Sequence, residues 1–162
     1  MAISLLASCI AWAKNSSLTV PFPIGKVGAA ATAEFHVRER QTYAFTLRYE
    51  YKEHDQIDRA QVWRLAGGAE LERPGKWVEP GASLKIRVSV SQREGGGERP
   101  ITERVVERPR LSSWGATDLN AELIAVTLSP GSYVVTAVSL DEAPSFVGAR
   151  TSLFIGRAYR GK

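Results

Sequence analysis

The chain has 162 residues, of which 44% are apolar and 23% charged, a composition close to that of soluble globular proteins and far from that of a disordered segment. Its 21 basic and 17 acidic residues leave a formal charge of +4 with the signs interspersed, which argues against a nucleic-acid partner because a phosphate-tracking surface gathers its cations into a stripe. A domain of roughly 150 residues buries about 68–70% of its unfolded surface, so folding requires no metal, cofactor or disulfide, and the single cysteine, Cys9, can form no internal bridge.

The first element is the apolar run Ala2 to Trp12, too short to span a membrane as a helix but of the length of a signal-peptide core. Two processing routes compete within it. Leu6-Ala7-Ser8-Cys9 resembles the lipobox of bacterial lipoproteins, which would make Cys9 an acylated first residue and attach the chain to a membrane. Ala11-Trp12-Ala13 is a small-x-small cleavage site that would release a chain beginning at Lys14. Residues 1–13 thus read as a signal-peptide or lipoprotein-export remnant and residues 14–162 as a single domain. The localisation expected is periplasmic or that of a membrane-anchored lipoprotein. The alternative is a buried first strand or helix.

Strands follow. Short ones are expected at Ser17 to Phe22 and Ala31 to Val37. In Thr42 to Tyr51 the period-two alternation is strong, with Tyr43, Phe45, Leu47, Tyr49 and Tyr51 on one face. Asp55 is placed to cap a helix over Gln56 to Ala66 that ends at Gly67-Gly68. Its apolar residues Ile57, Ala60, Val62, Trp63 and Leu65 scatter around the helical wheel. Alternation returns in Ser83 to Ser91, where Leu84, Ile86, Val88 and Val90 share a face. Less regular strands are expected at Ile101 to Glu107, Leu123 to Leu128, Tyr133 to Leu140 and Ser152 to Arg157. Turn signals at Pro74-Gly75, Pro80-Gly81, Gly95-Gly96-Gly97 and Pro130-Gly131 separate them. Strands half buried in this way belong to antiparallel sheets, and many short ones divided by turns make a β-sandwich. The expected fold is mainly β, an immunoglobulin-like antiparallel β-sandwich with one short helix.

Leu128-Ser129-Pro130-Gly131-Ser132-Tyr133 resembles the L-x-P-G-x-Y corner of immunoglobulin-like and fibronectin-like sandwiches, in which the tyrosine hydroxyl bonds back to nearby backbone. Longer segments carry a wider resemblance: Tyr43 to Tyr49, Tyr51 to Ala60, Ser113-Trp114-Gly115, Leu128 to Tyr133 and Leu153 to Gly156. As a set they resemble an uncharacterised family of small exported bacterial proteins, a domain of unknown function known mainly from proteobacteria. The resemblance implies a compact sandwich in the periplasm or on a lipid anchor, with no established activity. Some small exported proteins of this kind act as immunity proteins against toxins delivered between bacteria, an analogy of fold and compartment.

Catalytic patterns are weak throughout. The sharpest cluster is Lys52 to Arg59. His54, Asp55 and Asp58 could be divalent-metal ligands, but a site needs three or four and no further ligand is evident. An N-cap at Asp55 and a pairing of Asp58 with Arg59 or Lys52 account for the same residues. His36 and His54 are the only imidazoles, and no G-x-S-x-G elbow is present. His36 reads as an exposed strand residue opposite Phe35 and Val37. Gly95-Gly96-Gly97 lacks the ending of a phosphate loop and reads as a mobile hairpin tip. Asp118, Asp141 and Glu142 are too dispersed for a calcium loop. The arginines Arg99, Arg104, Arg108 and Arg110 alternate with glutamates as on a solvated strand face. Trp63, Trp77 and Trp114 are expected as partly buried aromatics closing the ends of the sandwich, with sugar stacking as the alternative.

The expectation is therefore a non-enzymatic binding protein whose partner is another protein, with an incoming toxin or an envelope component as the partner class. Arg59 and Trp114, types enriched at interface hot spots, together with Asp55 and Asp58, are the partner-binding candidates. Cys9 is the lipidation candidate. A glycan- or lipid-binding envelope module is the alternative, and a hydrolase built on carboxylates carries the least weight.

Overall fold

The structure is a computed structural model that describes residues 17–158. Cys9 and the cleavage site at Ala13 lie outside them. In chain order the elements are β1 (Ser17–Pro21), β2 (Ala30–Val37), β3 (Gln41–Glu50), α1 (Gln56–Leu65), β4 (Glu70–Arg73), β5 (Lys76–Val78), β6 (Lys85–Glu94), β7 (Gly97–Glu107), β8 (Ser113–Trp114), β9 (Asp118–Leu128), β10 (Gly131–Ser139), a 3-10 turn at Pro144–Phe146 and β11 (Thr151–Arg157). The two main sheets are fully antiparallel. One runs β1-β11-β3-β9-β8 and the other β2-β10-β6-β7, while β4 and β5 form a separate hairpin.

Alternation builds the core as the sequence pattern requires. Tyr43, Phe45, Leu47 and Tyr49 of β3 and Ile86, Val88 and Val90 of β6 turn inward to one continuous cluster shared by both sheets. Phe35 of β2 joins the layers: its ring centroid lies 5.6 Å from Tyr43, 5.8 Å from Phe45 and 5.8 Å from Tyr133. The molecule is a mainly β sandwich with one α-helix among the described residues.

The irregular strands have identifiable causes. In β9 the pairing passes from Phe45 opposite Ile124 to Thr46 opposite Glu122, so Leu123 is an extra residue. A bulge of this kind breaks the two-residue period, and Leu123 and Ile124 are consequently both buried. In β7 the extra residue is Ile101, between Pro100 and Thr102. Pro100 is tolerated there because β7 is an edge strand, and proline, bulge and alternating charge together discourage pairing with another chain. Gly95 and Gly96, both at positive φ, make the tip of the β6–β7 hairpin.

The two ends of the sandwich differ. At one, the loop from β9 to β10 holds the tyrosine corner, where the Tyr133 hydroxyl donates to the Ser129 carbonyl at 2.8 Å. At the other, β3 ends while β9 and β11 begin, since Glu50 pairs with Asp118 and Tyr49 with Thr151. Helix α1 is at this second end.

Candidate functional site

Helix α1 is fixed at both termini. Asp55 caps it, its Oδ1 accepting from the Ile57 and Asp58 amides at 3.1 and 2.9 Å. At the other end Ala66 is the C-cap, Gly67 takes φ +63°, and the Gly68 and Gly67 amides donate to the Trp63 and Arg64 carbonyls at 3.0 and 3.1 Å. These two bonds define a Schellman motif. They carry the chain round so that the Trp63 indole Nε1 donates to the Ala69 carbonyl at 3.2 Å.

The scatter of apolar residues around α1 has a physical reason. Val62, Trp63 and Leu65 pack against the core from a partly buried position, whereas Ile57 is 74% exposed and Ala60 is also exposed. The helix thus has one apolar face on the sandwich and apolar residues left over in solvent.

Arg59 and Trp114 are brought together through Trp63 and Tyr51. Trp63 lies one turn beyond Arg59 and meets the Trp114 ring edge-on, with centroids 6.4 Å apart. The Tyr51 hydroxyl donates to the Gly115 carbonyl at 2.7 Å, tying the strand that carries Trp114 to the end of β3. The Arg59 guanidinium sits 6.0 Å from the Tyr51 ring centroid, and its Nε is buried without a hydrogen-bond partner. Beside this row lies an open groove of about 430 Å³ lined by Gln56, Arg59, Ala60, Trp63 and Arg64.

Asp58 differs from expectation. Its Oδ2 accepts from the Lys52 backbone amide at 2.7 Å and from Arg150 at 3.1 Å, so its cationic partner is neither Arg59 nor the Lys52 side chain. The reason is topological, because the start of β11 brings Arg150 under the first turn of the helix. Asp55 and Asp58 are thereby committed to holding α1 in place. His54 stands at φ +62° with its side chain 91% exposed and its Nε2 3.6 Å from Glu53. Among the described residues no group of three or more His, Cys, Asp or Glu side chains is placed to hold a metal ion.

A smaller polar hollow of about 210 Å³ flanks Tyr51, with Arg48, Glu50, Asp118 and Arg150 in its wall. Its charges are internally matched. Arg48 Nε donates to Asn120 at 3.1 Å, lies 4.0 Å from Asp118 and stacks over Phe154, while Arg150 pairs with Asp58. Elsewhere, burial pushes the Tyr49 phenol well above its usual range. The hydrogen bond between Lys85 and Glu107 raises the lysine and lowers the glutamate on the exposed face of β6–β7.

The tryptophans separate. Trp63 is partly buried as expected, but Trp114 is 64% and Trp77 67% exposed, which corrects the expectation that all three close the sandwich ends. Trp77 lies on a two-stranded hairpin whose β4 residues are all exposed, and Trp114 on a two-residue strand at a sheet edge. No layer covers either. Sequence reading nominated Arg59 and Trp114 but passed over Gln56, Ala60, Trp63 and Arg64 as a surface. The spacing of Gln56, Arg59, Ala60 and Trp63 at i, i+3, i+4 and i+7 places them on one helix face and could have revealed it.

Asp55→Ala is expected to destabilise the fold by about 1 kcal/mol, the usual cost of losing an N-cap. Denaturant unfolding followed by tryptophan fluorescence measures it, and an unchanged midpoint would show that the helix is held without its cap.

No curated protein matches the chain. Among solved structures it is similar to the crystal structure of GEBA250068378 from Sulfurospirillum deleyianum, with a TM-score of 0.70 and 17% identity over 91% of this chain and 100% of that one. At that identity the likeness is one of fold. The sequence itself matches a family model over residues 19–157, a span that includes both ends of the sandwich and the whole of α1. The chain belongs to the family described as Domain of unknown function (DUF5625).

Proposed function

We propose that the chain is a non-enzymatic binding module of the bacterial envelope that docks another protein through the end carrying α1 and Trp114. The observation that carries this reading is the edge contact between Trp63 and Trp114. It joins helix and strand into one aromatic surface, flanked by Arg59 and largely open at Trp114. Such aromatic and arginine anchors supply most of the binding energy where they occur in an interface. Neutralisation of an incoming toxin is the particular role proposed, and a toxin gene next to this one would identify the partner to test. Arg59→Ala and Trp114→Ala should each weaken that complex by about 2 kcal/mol or more with the melting temperature unchanged. Calorimetric titration reads the affinity, and full-strength binding by both variants would move the interface elsewhere.

The envelope location rests on the apolar run Ala2 to Trp12. No helix among the described residues is long and apolar enough to cross a membrane, so attachment would come from acylated Cys9, each buried methylene contributing about 0.8 kcal/mol. Cys9→Ser should then shift the protein from the membrane to the soluble fraction of lysed cells. Unchanged membrane retention would remove the lipoprotein route, and a cytoplasmic product retaining residues 1–12 would remove export.

A glycan-binding module is the second reading, favoured by the exposure of Trp77 and Trp114. It requires that Trp77→Ala weaken binding to an envelope polysaccharide, a change to which a protein complex seated on α1 is insensitive.

A further inference from the structure

The exposed face of α1 has the geometry of a socket for another helix. Gln56, Arg59, Ala60 and Trp63 stand at i, i+3, i+4 and i+7 around the groove, the four-residue arrangement that receives one side chain from a facing helix in knobs-into-holes packing. Ala60 supplies the floor because a methyl group leaves space that the longer neighbours enclose. Trp63 supplies an apolar wall and in turn packs edge-on with the Trp114 ring, which lies outside the groove lining.

The charge at the rim has one sign. Arg59 and Arg64 line the groove and no acidic residue does. Among the described residues neither arginine forms an ion pair. The neighbouring carboxylates are already engaged, Asp58 with Arg150 and the Lys52 amide, and Asp55 with the helix cap. The polar hollow beside Tyr51 is the contrasting case, because its arginines are matched within the fold. An isolated pair of cations around an apolar hole complements a partner with the reverse pattern, an apolar side chain flanked by carboxylates. Arginine is suited to that role because its planar fork grips a carboxylate with two parallel hydrogen bonds.

We infer that this face of α1 receives an acidic amphipathic helix of a protein partner: an aliphatic or aromatic side chain seated over Ala60 and carboxylates about one turn to either side meeting Arg59 and Arg64. The inference rests on the reading of this end as a protein-docking surface and names the chemistry that the surface selects. Helix-in-groove recognition is anchored by residues at this spacing, and rim charges set partner choice and the rate of encounter.

The test is selection of a displayed library of random helical peptides on the full chain, followed by affinity measurement for the enriched peptides. The expected winners carry Asp or Glu about one turn on either side of a Leu, Met, Phe or Trp. Arg64→Glu should weaken them at least tenfold. Ala60→Trp, which fills the hole on an exposed helix face without touching the core, should abolish binding while leaving thermal unfolding unchanged. Enriched peptides that are basic or uncharged, or that bind Ala60→Trp as well as the parent, overturn the inference. If such peptides still lose affinity on Trp114→Ala, the docking reading stands and only its acidic-helix chemistry fails. If no peptide binds this end and an envelope polysaccharide does so through Trp114, both fail together.

Discussion

Tyr133→Ala will lower the unfolding free energy by about 3–5 kcal/mol, the range for deleting a large aromatic from a packed core. Tyr133 is 2% exposed, its ring stacks 5.8 Å from Phe35, and its hydroxyl closes the β9–β10 corner on Ser129. Truncation therefore removes a cross-strand aromatic contact between β10 and β2 and a turn constraint together. For a domain of this size each kcal/mol moves the melting temperature by roughly 2–4 °C, so the drop is about 6–20 °C in a thermal scan. Tyr133→Phe keeps the ring and loses the hydrogen bond, at a cost of about 1 kcal/mol. Tyr49→Phe supplies the control of opposite sign. The Tyr49 hydroxyl is buried with no hydrogen-bond partner, and removing an unsatisfied polar group is neutral or stabilising. Equal melting of Tyr133→Ala and the parent would mean that the corner does not hold the sandwich.

Gly67→Ala should be at least as damaging, for a reason invisible in any contact list. A Cβ at Gly67 would stand 2.1 Å from the Gly81 carbonyl carbon and 2.2 Å from its oxygen, and the residue sits at φ +63°. The left-handed conformation alone costs an L-residue about 1–2 kcal/mol. The collision is with backbone, where no rotamer change relieves it, and Gly81 is in turn wedged against the Arg108 carbonyl. The expected total is about 4 kcal/mol or more, a range reached only by strain or overpacking of this kind. Denaturant unfolding of Gly67→Ala checks it, and a loss below about 1 kcal/mol would show that the helix exit can shift freely. Gly68 makes the same argument for the candidate surface, since its Cβ would stand 2.2 Å from the Trp63 ring. The two glycines that end α1 also set where its tryptophan lies.

Much of the fold is legible in the sequence, because burial on one face imposes a two-residue period. Thr42 to Tyr51 and Ser83 to Ser91 reveal β3 and β6 on that ground, and Asp55 with Gly67-Gly68 brackets the helix to within a residue of Gln56–Leu65. The pattern fails where local geometry interrupts it. The bulges at Leu123 and Ile101 shift the alternation inside β9 and β7, and β4, whose residues are all exposed, has no buried face to leave a period. Around the candidate site, the residue types pointed to Arg59 and Trp114, but their meeting depends on pairing Trp114 with Leu119 and Glu50 with Asp118. That long-range register has no local signal. The true partner of Asp58 was hidden for the same reason, since Arg150 is 92 residues away in the chain.

Within the proposed account, the sandwich is a rigid mount and α1 the presented element. Its first turn is bolted by Asp55 and Asp58, its last by the Schellman glycines, while Gln56, Ala60 and Arg64 of the groove stand exposed to solvent. The most direct test places a photo-crosslinking residue at Ile57, exposed one turn before Ala60 on α1, in cells that express the chain from its own start. One discrete protein adduct, lost when Arg59→Ala is added and absent when the probe is moved to Ser129 at the opposite end, is the predicted result. Adducts that form from Ser129 and not from Ile57, or that survive Arg59→Ala undiminished, would contradict the assignment of this end as the docking surface.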